Sequence, residues 1–561
     1  MQVKKYDYFI GAAGVFAFLL LMAELSPYFG RFLFVIKSLN LAILLLFVSD
    51  VCFKFLFYKN KKEYFRHNWF DLIIFVPLVQ FIRGIEHTPF FIISWQFVIV
   101  SMLISRLRKI NKFIALLSLR PAQLAVASFA FAILAGTVLL MLPAASHTGG
   151  QTSFADALFT ATSATCVTGL AVVDTGTHFS IFGQLVILCL IQIGGLGIMT
   201  FSVSVALFLK QQVGMQQEAV MQDMLDQEAI AGVKRLILFI VKMTLILETL
   251  GALLLFITWL GRFPSVLQTG YAALFHSVSA FCNAGFSIFS DNLMGFKTDI
   301  ATNVIICLLI VCGGLGFTVI KDLTDNFRDK FMLRHDKLMR FRLQTKTVLM
   351  STIFLIVSGA LLIFFLEGTS SFSLFSGKEK VLASFFQSVA ARTAGFNTVD
   401  IGRLSASTLL VFIALMFVGA APGSTAGGVK VTTFAVLWST LVASFKQKEE
   451  VELFRRTVPA DVIKKAVTLF VFSALIVFAF ALILLYTERK EFLSVFFETV
   501  SAFGTVGLST GLTPALTEKG KLIISLLMFI GRLGPLAIAY AVIRLRRPAR
   551  YAYAEERMVI G

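Results

Sequence analysis

Charged residues are scarce in this sequence, and this scarcity excludes a large class of proteins. They make up 15% of the 561 residues, whereas a soluble domain contains about 25%. Apolar residues account for 57%, and 60 residues are Phe. There is too little polar surface to shield so much apolar area from water, so the chain is not a soluble globular protein. Only 11 residues are Pro, and the abundance of Leu, Ile and Phe excludes a disordered chain.

Histidine and cysteine are also rare. The six His are scattered without ligand spacing, and the six Cys form no C-x-x-C pair. We therefore expect free thiols, no zinc site and no metal-dependent enzyme. The net charge of +18 lies mainly in connections between apolar runs rather than on one soluble face, so nucleic acid is not an expected partner.

Apolar runs long enough to cross a lipid bilayer recur about twelve times. They lie near residues 7–25, 32–53, 69–86, 90–105, 121–142, 182–208, 236–260, 301–320, 346–366, 408–438, 463–486 and 521–543. Most Lys and Arg fall in alternate connections between these runs. The positive-inside rule then predicts a multi-pass protein of the cell membrane with both termini in the cytoplasm.

Four segments between the later spans are too apolar for loops and too short to cross the membrane. They read FTATSATCVTGL, FHSVSAFCNAGF, FQSVAARTAGF and FETVSAFGTVGL, and we align them on Gly169, Gly285, Gly395 and Gly507. This alignment places Phe ten positions before each glycine (Phe159, Phe275, Phe385, Phe497) and Ala five before it (Ala164, Ala280, Ala390, Ala502). A repeat of about 110 residues predicts a span, a re-entrant segment and a second span, used four times.

The re-entrant segments predict the lining of an ion pore, because non-helical backbone at membrane depth must be buried in protein or line water. A helix from Phe154 to Ala164, capped by Ser153, would aim its C-terminal dipole at a cation. Glycine then lets carbonyls turn inward and replace the hydration shell of potassium. The predicted ion-binding filter residues are Cys166, Val167, Thr168, Gly169, Asn283, Ala284, Gly285, Thr393, Ala394, Gly395, Thr505, Val506 and Gly507. Arg392 is expected to brace this filter from behind.

Glycines also recur in the second span of three units, where they favour close helix packing. These are Gly194, Gly195, Gly313, Gly314, Gly531 and Gly534. The third unit instead reads GAAPGSTAGGVK, which predicts a flexible polar loop within the membrane. The predicted gate consists of Gly419, Ala420, Ala421, Pro422, Gly423, Ser424, Thr425, Ala426, Gly427, Gly428, Lys430 and Arg532. Lys430 either extends to the cytoplasm or lies in the loop as a plug.

Ionisable residues inside spans are costly and therefore functional candidates. Lys242 and Glu248 are expected to neutralise one another or to reach the interface. Arg532 is the only charged residue from Leu522 to Ile543, and the carbonyls and hydroxyls of the 419–428 loop are its expected partners. The alternative is that Arg532 supports helix packing or a dimer contact.

Residues 113–550 resemble the Trk/Ktr/HKT superfamily of potassium transporters, and most closely the KtrB-type membrane subunit. The resemblance is carried by the four filter segments together with ARTAGFNTVD, GAAPGSTAGGVK and GTVGLSTG. It implies an all-α polytopic fold with four helix–pore-loop–helix units around one pore, a gating loop and a homodimer. It also implies a cytosolic, KtrA/TrkA-like regulatory ring that carries the nucleotide, with no tightly bound organic cofactor in this chain. Gly169, where sodium-admitting members tend to have Ser, implies potassium selectivity.

Four additional spans precede this region, so we predict an N-terminal module at 1–110 and a pore domain at 111–561. The pore repeats are expected at about 113–210, 232–325, 343–440 and 460–545. The module resembles the four-helix arrangement of voltage sensors, with Asp50 late in its second span. Its fourth span, Phe90 to Ser105, lacks the repeated Arg that sensing requires. A packing or assembly role is the favoured interpretation.

Two other classes of function are weighed against cation conduction. A sodium- or proton-coupled secondary transporter would need acidic residues at the midplane, and only Glu248 is suitably placed. An enzyme would need a nucleophile beside a base. The nearest pair, His276 and Ser277, are sequence neighbours whose side chains do not face each other on a helix. We therefore predict cation conduction and no enzymatic activity.

Overall fold

The computed structural model describes residues 38–39, 42–43, 45–46, 48–49, 51, 121–147, 152–197, 230–331 and 341–535. Apart from the short pieces of helix between residues 38 and 51, the predicted N-terminal module lies outside the described residues. The prediction about its voltage-sensor-like arrangement therefore stays a prediction.

The all-α class is confirmed. The helices are α1 Pro121–Leu140, α2 Phe154–Thr165, α3 Thr175–His178, α4 Ile181–Leu196, α5 Ile230–Trp259, α6 Val266–Phe281, α7 Ile300–Gly314, α8 Phe317–Phe331, α9 Leu343–Glu367, α10 Gly377–Ala390, α11 Ala406–Phe417, α12 Val431–Phe445, α13 Ala460–Glu488, α14 Phe492–Gly504 and α15 Glu518–Leu533. Short 3₁₀ turns occur at Pro143–Ala145, Met294–Phe296, Ile401–Arg403 and Thr513–Ala515. In the described part of the chain the strands are β1 Glu452–Leu453 and β2 Arg456–Thr457, paired antiparallel.

The helices follow one another in four units of a first helix, a short helix and a second helix. Unit 1 consists of α1, α2 and α4, unit 2 of α5, α6 and α7, unit 3 of α9, α10 and α11, and unit 4 of α13, α14 and α15. Serine hydroxyls at Ser153, Ser265 and Ser376 accept a backbone N–H and begin three of the short helices. Such caps satisfy donors that have no partner within the helix. The predicted helix from Phe154 and its cap at Ser153 are confirmed.

The four units form a closed ring. The second helix of each unit packs against the short helix of the next: α4 against α6, α7 against α10, and α11 against α14. The last helix, α15, packs against the first short helix, α2. At this closure Lys521 Nζ lies 2.6 Å from Asp156 Oδ1, and both side chains are mostly buried.

Three helices in the described ranges are long and apolar enough to cross a membrane, namely Leu236–Trp259 within α5, Leu343–Glu367 and Ala460–Glu488. Their outer faces remain apolar, with Phe365 72% and Leu475 60% exposed. Such side chains are exposed to lipid at little cost, whereas water would disfavour them.

The predicted continuous span near 301–320 is wrong, because the chain bends by 101° between α7 and α8. Gly316 has a φ of +87° at the break, a left-handed conformation that ends a helix. The N–H of Phe317 then bonds the Gly423 carbonyl at 3.0 Å instead of a carbonyl of its own helix.

Four of the six glycines of the second helices pack closely as predicted, namely Gly194, Gly195, Gly313 and Gly531, whereas a Cβ atom at Gly314 would make only ordinary contacts. A Cβ atom at Gly194, Gly313 or Gly531 would overlap the carbonyl oxygens of Thr165, Phe281 and Phe503, respectively. Each of these carbonyls belongs to the end of a short helix, so the second helices approach the pore segments backbone to backbone. Gly534 has open space around its Cα and instead ends α15 with a φ of +86°.

Candidate ion pathway

The backbone of the four filter segments has the same unusual conformation. The residue two positions before each filter glycine has a positive φ, which is 57° at Val167, 60° at Asn283, 70° at Thr393 and 51° at Thr505. The glycines follow with 93° at Gly169, 68° at Gly285, 71° at Gly395 and 93° at Gly507. Residues with side chains rarely adopt this conformation, and it persists only where the surroundings impose it. Left-handed residues at alternate positions turn successive carbonyl oxygens towards the same side.

The four glycines meet in a ring. A Cβ atom on Gly285 would lie 2.7 Å from the Ala394 oxygen, and one on Gly395 would lie 2.5 Å from the Val506 oxygen. Cβ atoms on Gly169 and Gly507 would overlap the oxygens of Ala284 and Thr168. Each glycine therefore faces the carbonyl before the glycine of the neighbouring unit. This contact leaves no room for a side chain at any of the four positions.

The third segment is one residue shorter than our alignment assumed. Phe385 is 43% exposed, whereas Phe386 is fully buried like Phe159, Phe275 and Phe497. The assignment of Phe385 to the buried Phe position is therefore wrong. The deleted residue lies between this Phe and the glycine, so counting backwards from the glycine fails here.

The hydrogen bonds of the turn confirm this shorter segment. The N–H before the filter glycine bonds a serine carbonyl in three units, from Thr168 to Ser163, from Ala284 to Ser279 and from Val506 to Ser501, each at 2.8 Å. In unit 3 the N–H of Ala394 donates instead to the carbonyl of Ala390, at 3.0 Å. Ala390 therefore takes the serine position rather than the predicted alanine position, which is occupied by Ala391. The shared Ser–Val pair of Ser277 and Ser388 was the signal that gives the correct register.

The serine hydroxyls brace the filter unequally. Ser163 Oγ accepts the Gly169 N–H, and Ser501 Oγ accepts the Gly507 N–H, both at 3.1 Å. Ser279 Oγ instead donates to the Phe286 carbonyl at 2.8 Å, and Ala390 has no hydroxyl. The ring is therefore fourfold in backbone shape and asymmetric in its support.

The predicted filter residue Cys166 and the predicted bracing residue Arg392 differ from the glycine turns. Cys166 is fully buried and ends α2, where its N–H bonds the Thr162 carbonyl at 2.8 Å. Arg392 is 7% exposed, and its Nε has no hydrogen-bond partner within the described ranges. The predicted bracing by Arg392 therefore has no hydrogen bond from this atom to support it.

An irregular segment, residues 418–430, separates α11 from α12 and will be called the gate loop. Its two ends lie side by side, since Gly419 N–H donates to Val429 O at 2.7 Å and Val431 N–H donates to Ala420 O at 3.1 Å. The predicted interruption of this apolar stretch is confirmed. Pro422 and the loop glycines are the local reason, because they are poor helix formers.

The gate loop contacts the filter segments of units 2 and 4. Thr425 Oγ1 lies 3.4 Å from the Phe281 carbonyl and from the side-chain amide of Asn283. On the other side, Gly427 N–H donates to Thr505 Oγ1 at 3.1 Å. The loop therefore reaches from the second unit to the fourth, directly against the filter.

Two cations hold the gate loop. Arg532 donates one hydrogen bond to the Thr425 carbonyl and another to the Gly194 carbonyl at the end of α4. The expected contact between Arg532 and the loop is present, and a cation at a helix C-terminus is favourable. Lys430 Nζ donates to the Ala426 carbonyl at 2.7 Å, so its ammonium lies in the loop rather than extending to the cytoplasm.

Glu248 does not pair with Lys242, so the first of the two alternatives expected for these residues is wrong. Its carboxylate is 5% exposed and accepts a hydrogen bond from Gln192 Nε2 at 3.1 Å. Cys282 Sγ lies 3.7 Å from its other oxygen. Lys242 is on the exposed face of α5, because six residues along a helix turn the side chain away. Gln192 was missed at the sequence level, since a single amide in an apolar helix carries no distinctive signal.

His276 and Ser277 contact different partners. His276 Nε2 lies 2.9 Å from Ser287 Oγ, and its Nδ1 lies 2.8 Å from the Ala272 carbonyl. Ser277 Oγ donates to the Glu248 carbonyl at 2.7 Å. These two side chains therefore do not form a nucleophile–base pair.

Comparisons with known proteins agree with this architecture. Residues 87–549 match the TrkH family, described as a cation transport protein. The chain is 43% identical over 434 residues to the Ktr system potassium uptake protein B of Bacillus subtilis, which covers 77% of this chain and 95% of that protein. It is 36% identical over 451 residues to the potassium/sodium uptake protein NtpJ of Enterococcus hirae, covering 79% of this chain and 98% of that protein.

The fold is also shared with a solved structure. The crystal structure of the potassium transporter TrkH from Vibrio parahaemolyticus superposes with a TM-score of 0.61 and 17% identity, covering 95% of this chain and 98% of that one. Because the sequence identity is low, this similarity shows a shared fold only. Together with the family match over residues 87–549 and the identity of 43%, the four-unit ring identifies this chain as a member of the TrkH family of cation transport proteins.

Proposed function

We propose that this chain takes up potassium ions through the pore formed by its four units. The observation that carries the proposal is the ring of glycines, in which each glycine faces a carbonyl of the neighbouring unit. Carbonyl rings replace the hydration shell of a monovalent cation. The names of the two relatives, which concern potassium uptake and potassium/sodium uptake, support the choice of ion.

The four filter segments, residues 166–169, 283–285, 393–395 and 505–507, bind the ion in this proposal. The short helices end at these segments, and the C-terminal end of a helix carries partial negative charge that favours a cation. Gly169 contributes to potassium selectivity, because a side chain there would alter the number and position of the ligands. The alternate left-handed residues supply the inward carbonyls.

The gate loop obstructs the pathway until it is displaced. It lies against Asn283 and Thr505 of the filter and is tied by Arg532 to unit 1. Arg532 and Lys430 add positive charge beside the loop, and this charge discourages cations while the loop is in place.

The protein works as the membrane part of a larger assembly. We propose a homodimer with both termini in the cytoplasm, bound to a cytosolic nucleotide-binding ring. The phrase "Ktr system" in the name of the Bacillus relative and the Lys- and Arg-rich alternate connections support this arrangement. The first 110 residues form a separate module with a packing or assembly role.

Growth of potassium-uptake-deficient cells tests the proposal. Cells that express the chain should grow at limiting potassium and accumulate the rubidium tracer. Cells that express Gly285→Val should do neither, because the side chain would overlap Ala394 in the ring. Equal growth of cells with the two proteins, at equal membrane abundance, would refute the filter assignment.

A sodium- or proton-coupled carrier is the second candidate, and Glu248 is the observation that favours it. A buried carboxylate inside a membrane span, beside Cys282 just before the second filter segment, is the kind of group that binds a coupling ion. Coupling would make potassium uptake depend on a sodium or proton gradient.

A further inference from the structure

In each short helix the residue that follows the buried Phe is polar and lies behind the filter. The four residues are Thr160, His276, Gln387 and Glu498, and their exposed fractions are between 0% and 2%. They occupy the same place once the shorter third segment is taken into account, because each follows the buried Phe. A buried polar group is costly unless it is hydrogen-bonded, so the partners of these four residues are informative.

Three of the four bond a hydroxyl on the irregular segment that leaves the filter. His276 Nε2 lies 2.9 Å from Ser287 Oγ, Gln387 Nε2 lies 3.5 Å from Thr398 Oγ1, and Glu498 accepts a hydrogen bond from Ser509. These hydroxyls come two or three residues after the filter glycine. In unit 1 the corresponding residue is Ala171, and Thr160 Oγ1 has no hydrogen-bond partner among the described residues. The brace is therefore present in units 2, 3 and 4 and missing in unit 1.

Glu498 contacts two hydroxyls, whereas His276 and Gln387 contact one each. One carboxylate oxygen accepts from Ser509, and the other accepts from Thr513 Oγ1 at 2.8 Å. Ser509 Oγ in turn accepts the Gly511 N–H at 2.9 Å. A buried donor that loses its acceptor is left unsatisfied at a cost in free energy. The whole segment from Gly507 to Thr513 is thus organised around one buried side chain.

The braced segment begins at the filter ring itself. Gly507 closes the ring against Thr168 of unit 1, and the preceding Val506 oxygen faces Gly395 of unit 3. A shift of this segment would therefore move ring contacts on both sides of unit 4. Discrimination between two alkali cations depends on the number and position of the carbonyl ligands.

We infer that Glu498 is a positioning residue, which fixes the fourth filter segment and thereby sets how strongly the ring favours potassium over the smaller sodium ion. The inference rests on the proposed function and extends it to a residue outside the filter. Glu498 acts through Ser509 and Thr513 and does not touch the ion.

The experiment measures initial potassium and sodium fluxes in proteoliposomes that contain the full chain or a variant. Glu498→Ala removes both acceptors, and Thr513→Val removes one donor while the carboxylate is retained. Glu498→Gln preserves the shape and one acceptor oxygen. Thr160→Val is the matched control, since it alters the same position in the unit that lacks the brace.

We expect Glu498→Ala to lower the potassium-to-sodium flux ratio by about fivefold or more, because the buried hydroxyls of Ser509 and Thr513 both lose their acceptor. Thr513→Val and Glu498→Gln should fall between this variant and the wild type, and Thr160→Val should equal the wild type. If Glu498→Ala does not fold, the potassium-to-sodium flux ratio of Thr513→Val tests the inference.

An unchanged ratio in folded Glu498→Ala or Thr513→Val would overturn the inference, and so would an equal fall in Thr160→Val. Absence of potassium flux in the wild type would instead refute the proposed function.

Discussion

Arg532→Ala should raise ion flux measured without the regulatory partner. In the structure Arg532 bonds the Thr425 carbonyl of the gate loop and the Gly194 carbonyl of unit 1, so it ties the loop to the ring. A hydrogen bond to a charged group contributes about 1.5–3 kcal/mol. Since about 1.4 kcal/mol changes an equilibrium tenfold, losing the Thr425 contact should favour the displaced loop by roughly ten- to a hundredfold.

The assay is rubidium uptake into proteoliposomes that contain the purified chain alone. We expect the flux of Arg532→Ala to exceed that of the wild type by about tenfold. Arg532→Lys should give an intermediate flux, because an ammonium keeps the charge but lacks the planar fork that spans two acceptors. Lys464→Ala is the control, since it removes one positive charge from an exposed position on α13.

The result that refutes this reasoning is a fall in flux together with loss of folded, dimeric Arg532→Ala protein. Arg532 would then support helix or dimer packing, which is the alternative that the sequence left open. Size-exclusion chromatography of each variant before reconstitution separates the two outcomes.

Three further predictions concern the filter, the ring closure and the N-terminal module. Gly169→Ser should reduce the preference for potassium over sodium in uptake by transport-deficient cells, because a side chain at a φ of +93° is strained by about 1–3 kcal/mol; an unchanged preference would contradict the filter assignment. Asp156→Asn and Lys521→Met should each lower the melting temperature in detergent. The melting temperature of the double variant should fall by less than the sum of the two single decreases, because the two residues form one ion pair. Fully additive decreases would argue against this ion pair as the closure of the ring. A chain that begins at Asn111 should still carry potassium once inserted, and an inserted, dimeric but inactive protein would show that the first 110 residues belong to the pore.

The sequence predicts the filter turns well, because their conformation depends directly on residue type. At four repeated positions the φ is positive and a carbonyl of the neighbouring unit leaves no room for a Cβ atom. Glycine is therefore required there, and it recurs among very different neighbours. The interruption at residues 418–430 is predicted for a related reason, since several glycines and Pro422 in one apolar stretch exclude a straight helix.

Other features depend on tertiary contacts that no local pattern reports. The break at Gly316 lies in a run whose hydropathy is continuous, and it is stabilised by a bond from Phe317 to the gate loop. Phe386, rather than Phe385, occupies the buried Phe position because the third segment is one residue shorter. An alignment that counts back from Gly395 does not reveal this deletion. Glu498 escaped prediction because a single carboxylate at the start of a filter motif looks like an ordinary helix residue until its partners are known.

Potassium flux under controlled gradients tests the central claim most directly. Wild-type protein reconstituted in vesicles, with a potassium gradient as the sole driving force, should carry potassium or rubidium down that gradient. The rate should stay the same when a sodium or proton gradient is imposed in addition. Flux that requires a sodium or proton gradient, and disappears when that gradient is removed, would contradict conduction through the filter and favour a coupled carrier centred on Glu248.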